Sequence, residues 1–178
     1  MRLYLVRHLP PLVEAGICYG RTDLATDAAA QALALPALRA ALPDAPIYSS
    51  PLQRCAVLAE ALGNPVFDAR LAELDFGAWE MQRWDDIARS EIDAWAADVA
   101  MYRPGGGESV ADMAGRVAGF YADLRATSVP DAIVVCHAGT IRLCLAQHSG
   151  LDVAQMATAA ATHPHRIAYG EIVILDCV

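Results

Sequence analysis

The sequence predicts an α/β protein built on a mostly parallel sheet whose two faces are covered by helices. Two observations indicate this class. Short apolar runs rich in Val, Ile and Leu, at residues 3–6 and 132–136, have the length and composition of buried strands. Longer Ala-rich or amphipathic stretches lie between these runs, and strands that alternate with helices are typical of parallel sheets, because each parallel crossover needs a connection of helical length.

The first elements follow from local signals. Leu3–Val6 is the first predicted strand, because four apolar residues run without a break up to a charged pair. Thr26 or Asp27 provides an N-cap for an Ala-rich helix that extends towards Leu42. Pro36 predicts a kink or a restart within this helix.

The segment "PIYSSP" predicts a short strand followed directly by a helix. Ser50 is a good N-cap, Pro51 suits the first helical position, and Gly63 lies just beyond the expected end. Further along, Trp84–Val99 has the pattern of one amphipathic helix.

The chain from Arg103 onward predicts a second buried strand between two helices. "RPGGGES" is a loop, after which Ser109 and Asp112 form a capping-box pattern that starts a helix. The strand "AIVVCH" comes next and leads into a helix at Gly139–His148, which Gly150 ends. "IAYGEIVILDC" predicts a closing strand or hairpin with Gly170 at its turn or bulge.

Composition limits the functional classes. The 178 residues suit one domain spanning 1–178, and their net charge of −8 argues against nucleic acid or an anionic membrane as partner. No apolar run reaches the roughly 18 residues that a membrane span needs, so we expect a soluble cytoplasmic protein. Five Cys without a CxxC pair indicate neither disulfides nor a zinc ribbon, and "HPH" at 163–165 has no nearby carboxylate ligand, so we predict no metal site.

Charged side chains follow the two clearest strands at the point where each strand ends. Arg7 and His8 follow the first strand, and His137 follows "AIVVC". Because ligands of parallel sheets bind beyond the carboxyl ends of the strands, we expect both imidazoles in one crevice. A helix starting at Ser50 would direct its free N–H groups to the same place, with Arg54 one turn in, and this combination suits an anion.

The segment "ELDFGAWE" offers a candidate general acid. It contains Glu73, Asp75 and Glu80, and its aromatic residues Phe76 and Trp79 would raise a carboxyl pKa by excluding water. The spacing does not decide among the three acids, and a solvated surface loop is the simpler interpretation of each one alone.

Together these residues favour phosphoryl transfer. Arg7 and Arg54 would neutralise a dianion, His8 is a candidate nucleophile, and His137 can donate to the same oxygens. Because two guanidinium groups supply the positive charge, the chemistry requires no metal or other cofactor. The expected partner is a small-molecule phosphate ester.

Five segments in order resemble the motifs of the histidine phosphatase superfamily, which includes cofactor-dependent phosphoglycerate mutases and many phosphatases. They are "RH", "SSPLQR", "ELDFGAWE", "PGGGES" and "VVCHAGTIR", and they run from residue 7 to residue 142. "GICYGRTDL" resembles the α-ribazole phosphatase branch. The resemblance implies a three-layer α/β/α sandwich on a mostly parallel mixed sheet. It also implies that His8 is the phosphorylated nucleophile, that Arg7, Arg54 and His137 hold the phosphoryl group, and that Glu73 is the proton donor.

The resemblance extends to substrate contacts. Arg21 and Thr22 in "YGRTD" fall where the family contacts substrate or phosphate, and Ala138 occupies the position of Gly in the family's His-Gly pair. The chain departs from the family pattern at three further positions near the first motif, where the family has Gly, Ser or Thr, and Asn: these are Leu9, Pro11 and Glu14.

The implied activity is a metal-independent phosphomonoester hydrolase with a phosphohistidine intermediate, with α-ribazole phosphate as one candidate substrate. Two alternatives remain. A phosphoglycerate mutase would use the same residues, although the chain looks short for one, and Leu9 and Pro11 favour a decayed phosphate-binding member of the same fold. A homodimer is left open, because nothing in the sequence bears on oligomeric state.

Overall fold

A five-stranded mixed sheet forms the centre of the computed structural model, which describes residues 1–162 and 166–177. The order is β3-β2-β4-β1-β5; β1, β2, β3 and β4 are parallel, and β5 pairs antiparallel with β1. The strands are β1 (Arg2–Arg7), β2 (Ile47–Ser49), β3 (Pro65–Phe67), β4 (Asp131–Cys136) and β5 (Ile172–Asp176). The "HPH" segment at 163–165, for which no metal site is predicted, lies outside the described residues.

Six α-helices connect and cover these strands in the described part of the chain, together with short 3₁₀ turns. They are α1 (Ala28–Ala41), α2 (Gln53–Leu62), α3 (Arg89–Ala97), α4 (Val110–Arg125), α5 (Ala138–His148) and α6 (Val153–Thr162). None of the described helices is long and apolar enough to cross a lipid bilayer.

Alternate residues of the central strands pack into two separate cores. Leu3 and Leu5 of β1 face the core that α4, α5 and α6 cover, whereas Tyr4 and Val6 face the core of α1 and α2. β4 divides its side chains in the same way, because Val134 lies in the first core and its neighbours lie in the second. The predicted α/β/α sandwich on a mixed sheet is therefore confirmed.

Several local signals act as expected. Asp27 is the N-cap of α1 and accepts a hydrogen bond from the N–H of Ala29. The restart predicted at Pro36 is wrong, because α1 runs through this residue from Ala28 to Ala41. Ser109 and Asp112 form the reciprocal capping box that begins α4. Gly170 adopts a φ of 73° in the turn before β5. The sequence analysis did not assign α6 or the short edge strand β3.

The helix predicted at Trp84–Val99 is wrong. Trp84–Asp86 is a 3₁₀ turn, the chain is extended at Ile87, and α3 begins only at Arg89. Ile87 is buried in a third cluster with Cys18 and Trp79 and with partly buried Trp84, so packing of these side chains draws the chain away from a continuous helix.

The predicted start of the second helix is also wrong. α2 begins at Gln53, with Leu52 rather than Ser50 at the N-cap position. The N–H of Gln53 donates instead to the Asp23 carboxylate, 2.6 Å away, which belongs to the long β1–α1 connection. The Ser50 hydroxyl therefore contacts the ring of His137 instead, as described below.

Candidate active site

The ends of three neighbouring parallel strands converge at one edge of the sheet. Arg7 is paired in register with Cys136, so the following residues, His8 and His137, emerge side by side. Their ring centres are 5.1 Å apart, and the ring planes meet at 61°. Ser50 follows β2 at the same edge, and its N–H donates to the Val135 carbonyl over 3.0 Å.

His8 is held as a neutral imidazole in one tautomer. Its Nδ1 lies 2.7 Å from the carbonyl oxygen of Leu9. Since a carbonyl only accepts, Nδ1 carries the proton and the lone pair is on Nε2. Burial is the main cause that lowers the pKa of His8 to about 3, and Arg54 and Arg7 lower it further, while the bond to Leu9 opposes them. The ring therefore stays uncharged well below neutral pH.

The replacement of Gly by Leu9 does not obstruct this arrangement. The Leu9 side chain is buried in the core that α1 and α2 cover, and its carbonyl accepts from Nδ1 of His8. Pro11 forms an isolated antiparallel bridge with Thr26 and so contributes to the backbone of the loop.

Two guanidinium groups lie beside His8 and are oriented by backbone carbonyls. Arg7 donates from Nη1 to the carbonyl of Ile167 over 2.6 Å. Arg54 is 1% exposed and donates to the carbonyls of Thr22, at 2.8 Å, and of Gly20. Among the described residues, Nε of each arginine has no hydrogen-bond partner. These two cations therefore keep donor capacity that the protein leaves unused.

His137 is fully buried at the start of α5. Its Nε2 is 2.8 Å from the hydroxyl oxygen of Ser50 and 3.5 Å from the thiol sulfur of Cys55. Burial lowers the pKa of His137 well below its ordinary value, and the nearby Arg54 adds to this effect. The ring is therefore neutral, and Ser50 orients it instead of capping a helix.

The three candidate acids occupy different environments. Glu73 lines the pocket and accepts hydrogen bonds from the N–H groups of Leu74, at 3.1 Å, and Gly139, at 3.2 Å. Asp75 closes a turn by accepting from the N–H of Gly77 over 2.8 Å. Of the three, Glu73 alone is among the residues that line the cavity next to His8.

Glu80 holds the loop that contains the "YGRTD" motif. Its carboxylate accepts from the N–H groups of Gly20, Arg21 and Thr22 and from the Thr22 hydroxyl. Burial opposes ionisation of Glu80, but the hydrogen bonds from Thr22, Phe76 and Gly20 outweigh it and lower its pKa. The ionised form of Glu80 is therefore favoured, and its carboxylate holds this loop in place.

The structure places two of the predicted substrate-binding side chains outside the cavity. Arg21 is exposed, and its guanidinium lies 3.7 Å from the Glu108 carboxylate. Thr22 is engaged with Glu80, as described above, and it contacts the site only through its carbonyl, which accepts from Arg54. Ala138 does line the cavity, directly after His137.

The cavity beside His8 has a volume of about 330 Å³ and a mixed lining. Its charged and polar lining residues include Arg7, His8, Arg54, Glu73 and Arg142. Its apolar and aromatic lining residues include Leu74, Phe76, Trp95, Val99, Val110 and Met113. No group of three or more His, Cys, Asp or Glu side chains suited to a metal ion occurs in the described ranges.

Several residues that build this site escaped the sequence analysis. Arg116 donates to the carbonyls of Arg70, Ala72 and Glu73. It also donates from Nε and Nη2 to the Glu108 carboxylate, over 2.7 Å and 2.8 Å. Tyr19 and Tyr169, 150 residues apart in the chain, meet at their hydroxyls. Trp95 lies within the wrongly predicted helix. No local pattern signals such contacts, because each joins segments distant in sequence.

The fold and this site define a phosphatase of the histidine type. The chain belongs to the histidine phosphatase superfamily, since the model of the "Histidine phosphatase superfamily (branch 1)" matches residues 3–172. The resemblance stated from its motifs is thus confirmed, and relatives described as phosphatases support the same enzyme class.

Three relatives illustrate the similarity. A Hydrogenobacter thermophilus protein named "Putative phosphoserine phosphatase 2" is 31% identical over 166 residues, which are 85% of this chain and 81% of the relative. Mycobacterial glucosyl-3-phosphoglycerate phosphatase is 27% identical with a TM-score of 0.75, over 88% of this chain and 83% of that one. The α-ribazole phosphatase of Shigella flexneri shares the fold, with a TM-score of 0.83 at 24% identity over 99% and 90% of the chains.

Proposed function

We propose that this protein hydrolyses a small-molecule phosphate monoester through a phosphohistidine formed on His8. The observation that carries the proposal is the hydrogen bond from Nδ1 of His8 to the Leu9 carbonyl, because it leaves the lone pair on Nε2. A neutral imidazole beside two guanidinium groups without bound carboxylates suits nucleophilic attack on a phosphorus that carries negative charge.

The reaction has two steps. Nε2 of His8 bonds to phosphorus as the ester P–O bond breaks, and Glu73, as the carboxylic acid, gives its proton to the leaving oxygen. A water molecule then attacks the phosphohistidine, the P–N bond breaks, and Glu73 takes a proton from that water. Arg7 and Arg54 hold the phosphoryl oxygens during both steps, together with neutral His137. Their two positive charges supply the electrostatic stabilisation, so the steps need no metal.

The apolar lining residues of the cavity support a leaving group with an aromatic, apolar part. Phe76, Trp95 and Met113 are among these residues, and they carry no charge. Their one polar hydrogen is the indole N–H of Trp95, which has no partner among the described residues and can only donate, so these side chains offer nothing to the ammonium group of phosphoserine. α-Ribazole phosphate carries an aromatic base, which would pack against these apolar side chains better than the charged groups of phosphoserine. We therefore rank α-ribazole phosphate above phosphoserine and phosphoglycerate esters.

The chemical step is tested by a brief exposure of the enzyme to substrate labelled with ³²P, followed by an alkaline quench that preserves phosphohistidine. We expect label on His8 in the wild type and none in His8→Ala. His148→Gln, altered in a helix remote from the cavity, is the matched control and should label normally. An enzyme that turns over p-nitrophenyl phosphate without labelling His8 would refute the mechanism, and a wild type without turnover would favour a phosphate-binding protein.

The leaving group is tested by comparing kcat/KM for α-ribazole phosphate, phosphoserine and 3-phosphoglycerate. We expect the highest value for α-ribazole phosphate, because only this ester buries an apolar surface against Phe76 and Trp95. Transfer of phosphate between positions of phosphoglycerate, in place of its release, would instead favour a mutase. A preference for phosphoserine would contradict the ranking while leaving the phosphohistidine step intact.

A further inference from the structure

Two tyrosines from opposite ends of the chain form a bridge beside the phosphate site. Tyr19 belongs to the connection between β1 and α1, and Tyr169 to the turn that precedes β5. Their hydroxyl oxygens are 2.9 Å apart, which is hydrogen-bond distance. Burial is the main cause that raises the pKa of Tyr19, so its phenol stays neutral at physiological pH.

Each tyrosine ring lies on a group of the phosphate site. The Tyr169 ring centre is 3.8 Å from Cζ of Arg7 and 5.5 Å from the ring centre of His8. The Tyr19 ring centre is 5.6 Å from Cζ of Arg54, and Tyr19 also lines the cavity. The shorter contact has the geometry of a cation–π interaction, in which the ring face attracts the guanidinium.

These rings compensate for the lack of counter-ions. In the part of the chain that the structure describes, no carboxylate lies within ion-pair distance of Arg7 or Arg54. A carboxylate there would hold the cations but would also cancel the charge that attracts phosphate. An aromatic face holds a guanidinium without cancelling its charge, so the arginines remain available to an anion.

We propose that Tyr19 and Tyr169 are positioning residues of the phosphate site: their hydroxyl bridge ties two distant loops together, and their rings hold Arg7 and Arg54 for the phosphoryl group. This inference rests on the proposed function, because it concerns the same transfer to His8. It gives the rings a share in holding the arginines, beside the backbone carbonyls that accept from them, whereas the chemical step itself stays with His8 and Glu73.

The geometry predicts different effects for the ring and for the hydroxyl. Tyr169→Leu removes the surface on which the Arg7 guanidinium lies, and we expect inorganic phosphate to inhibit about tenfold more weakly. Tyr169→Phe keeps the ring and breaks only the bridge, so its effect should be smaller. Tyr19→Phe breaks the same hydrogen bond, and the double Phe variant should therefore bind phosphate no more weakly than either single variant.

The experiment measures the inhibition constant of inorganic phosphate, kcat and KM with p-nitrophenyl phosphate, and the melting temperature of each variant. Phe67→Leu, at a half-exposed site on the edge strand β3, is the control for loss of an aromatic ring. Tyr102→Phe, which packs against Trp79 outside the cavity, is the control for loss of a hydroxyl. Both controls should leave the inhibition constant unchanged.

Two outcomes would overturn the inference. One is a Tyr169→Leu enzyme that melts like the wild type and binds phosphate equally well. The other is a pair of Phe variants whose effects on phosphate binding are absent or simply add. If Tyr169→Leu does not fold, the Phe variants decide. Wild-type enzyme that never forms phosphohistidine would refute the proposed function instead, and the labelling experiment separates that failure from this one.

Discussion

At the scale of single residues, backbone carbonyls control the side chains of the site. The carbonyl of Leu9 selects the tautomer of His8, and the carbonyls of Ile167 and Gly20 orient Arg7 and Arg54. Such contacts depend little on the identity of the residue that provides the carbonyl. Leu9 can therefore stand where the family pattern has Gly, because the contact with Nδ1 of His8 uses only the backbone carbonyl of this residue.

Glu73→Gln should separate the two roles of the carboxyl group. With a poor leaving group, we expect kcat to fall by about 10² to 10⁴, because no acid protonates the departing oxygen. With p-nitrophenyl phosphate, whose leaving group needs little protonation, phosphohistidine should accumulate because its hydrolysis lacks a base. Rapid-quench labelling with both esters measures this. Equal losses for the two esters without accumulation of the intermediate would assign the acid elsewhere, and Asp75→Asn is the matched comparison.

Burial of His8 should make stability depend on pH. Its folded pKa of about 3 is below the ordinary value of 6.5, so between these values the unfolded chain binds a proton that the folded chain does not. Stability should therefore fall as the pH falls through this window, with His8 contributing up to about 1.4 kcal/mol per pH unit. Urea unfolding at several pH values measures the slope. In His8→Asn the slope should be smaller by about one proton, and an unchanged slope would contradict the assignment.

At the scale of elements, the loop after β3 and the start of α5 position the side chain of Glu73. Glu73 accepts from the N–H of Gly139 in the first turn of α5, and Arg116 of α4 holds the Glu73 carbonyl at 3.2 Å. Three elements thus hold Glu73, two through its carboxylate and one through its backbone carbonyl. Close backbone packing makes this possible, because a Cβ atom on Gly139 would lie 2.3 Å from Oε1 of Glu73.

Gly139→Ala should therefore impair catalysis more than folding. The added methyl group displaces a flexible carboxylate instead of rigid backbone, so we expect kcat to fall about tenfold or more, with a melting temperature close to that of the wild type. Gly115→Ala in α4, where a Cβ atom meets nothing within 4 Å, is the control and should be fully active. Steady-state kinetics and thermal unfolding of both variants test this, and an active Gly139→Ala enzyme would show that Glu73 can shift without loss.

At the scale of the whole molecule, the pairing of β1 with β4 determines the site. The two strands are far apart in sequence but adjacent and in register, which brings His8 and His137 together. Both strands are buried on both faces by the two cores, so their position is fixed by packing on either side. The relative position of His8 and His137 is thus set by the most buried part of the sheet.

A truncation in this central pair should destabilise the entire fold. Val134→Ala removes two methyl groups from a fully buried position of β4, and we expect a loss of about 2 kcal/mol in the free energy of unfolding. Ile174→Thr on β5, where the side chain is 52% exposed, should change it by less than about 0.5 kcal/mol. Chemical denaturation measures both. Equal losses would contradict the view that the β1–β4 pair carries the core.

Prediction from sequence succeeded where the signals are local. The two buried strands, the capping box at Ser109 and the alternation of strand and helix each depend on a few neighbouring residues, and all were recovered. The single helix at Trp84–Val99 failed because the packing of Trp84 and Ile87 against distant residues overrides a helical pattern. Ser50 failed as an N-cap because its hydroxyl is engaged by His137, 87 residues away.

The sequence by itself determined the fold class, the family and the set of side chains available for phosphoryl chemistry, because buried strands and motif order are properties of the linear chain. The roles of His8, Glu73 and the other site residues remain predictions that the experiments above test. The family resemblance already pointed to Glu73 among the three acids, but only the tertiary structure showed that Glu73 lines the cavity, how the arginines are held without counter-ions, and that Tyr19 meets Tyr169. These features are distances between segments far apart in the chain, and such distances are set by packing.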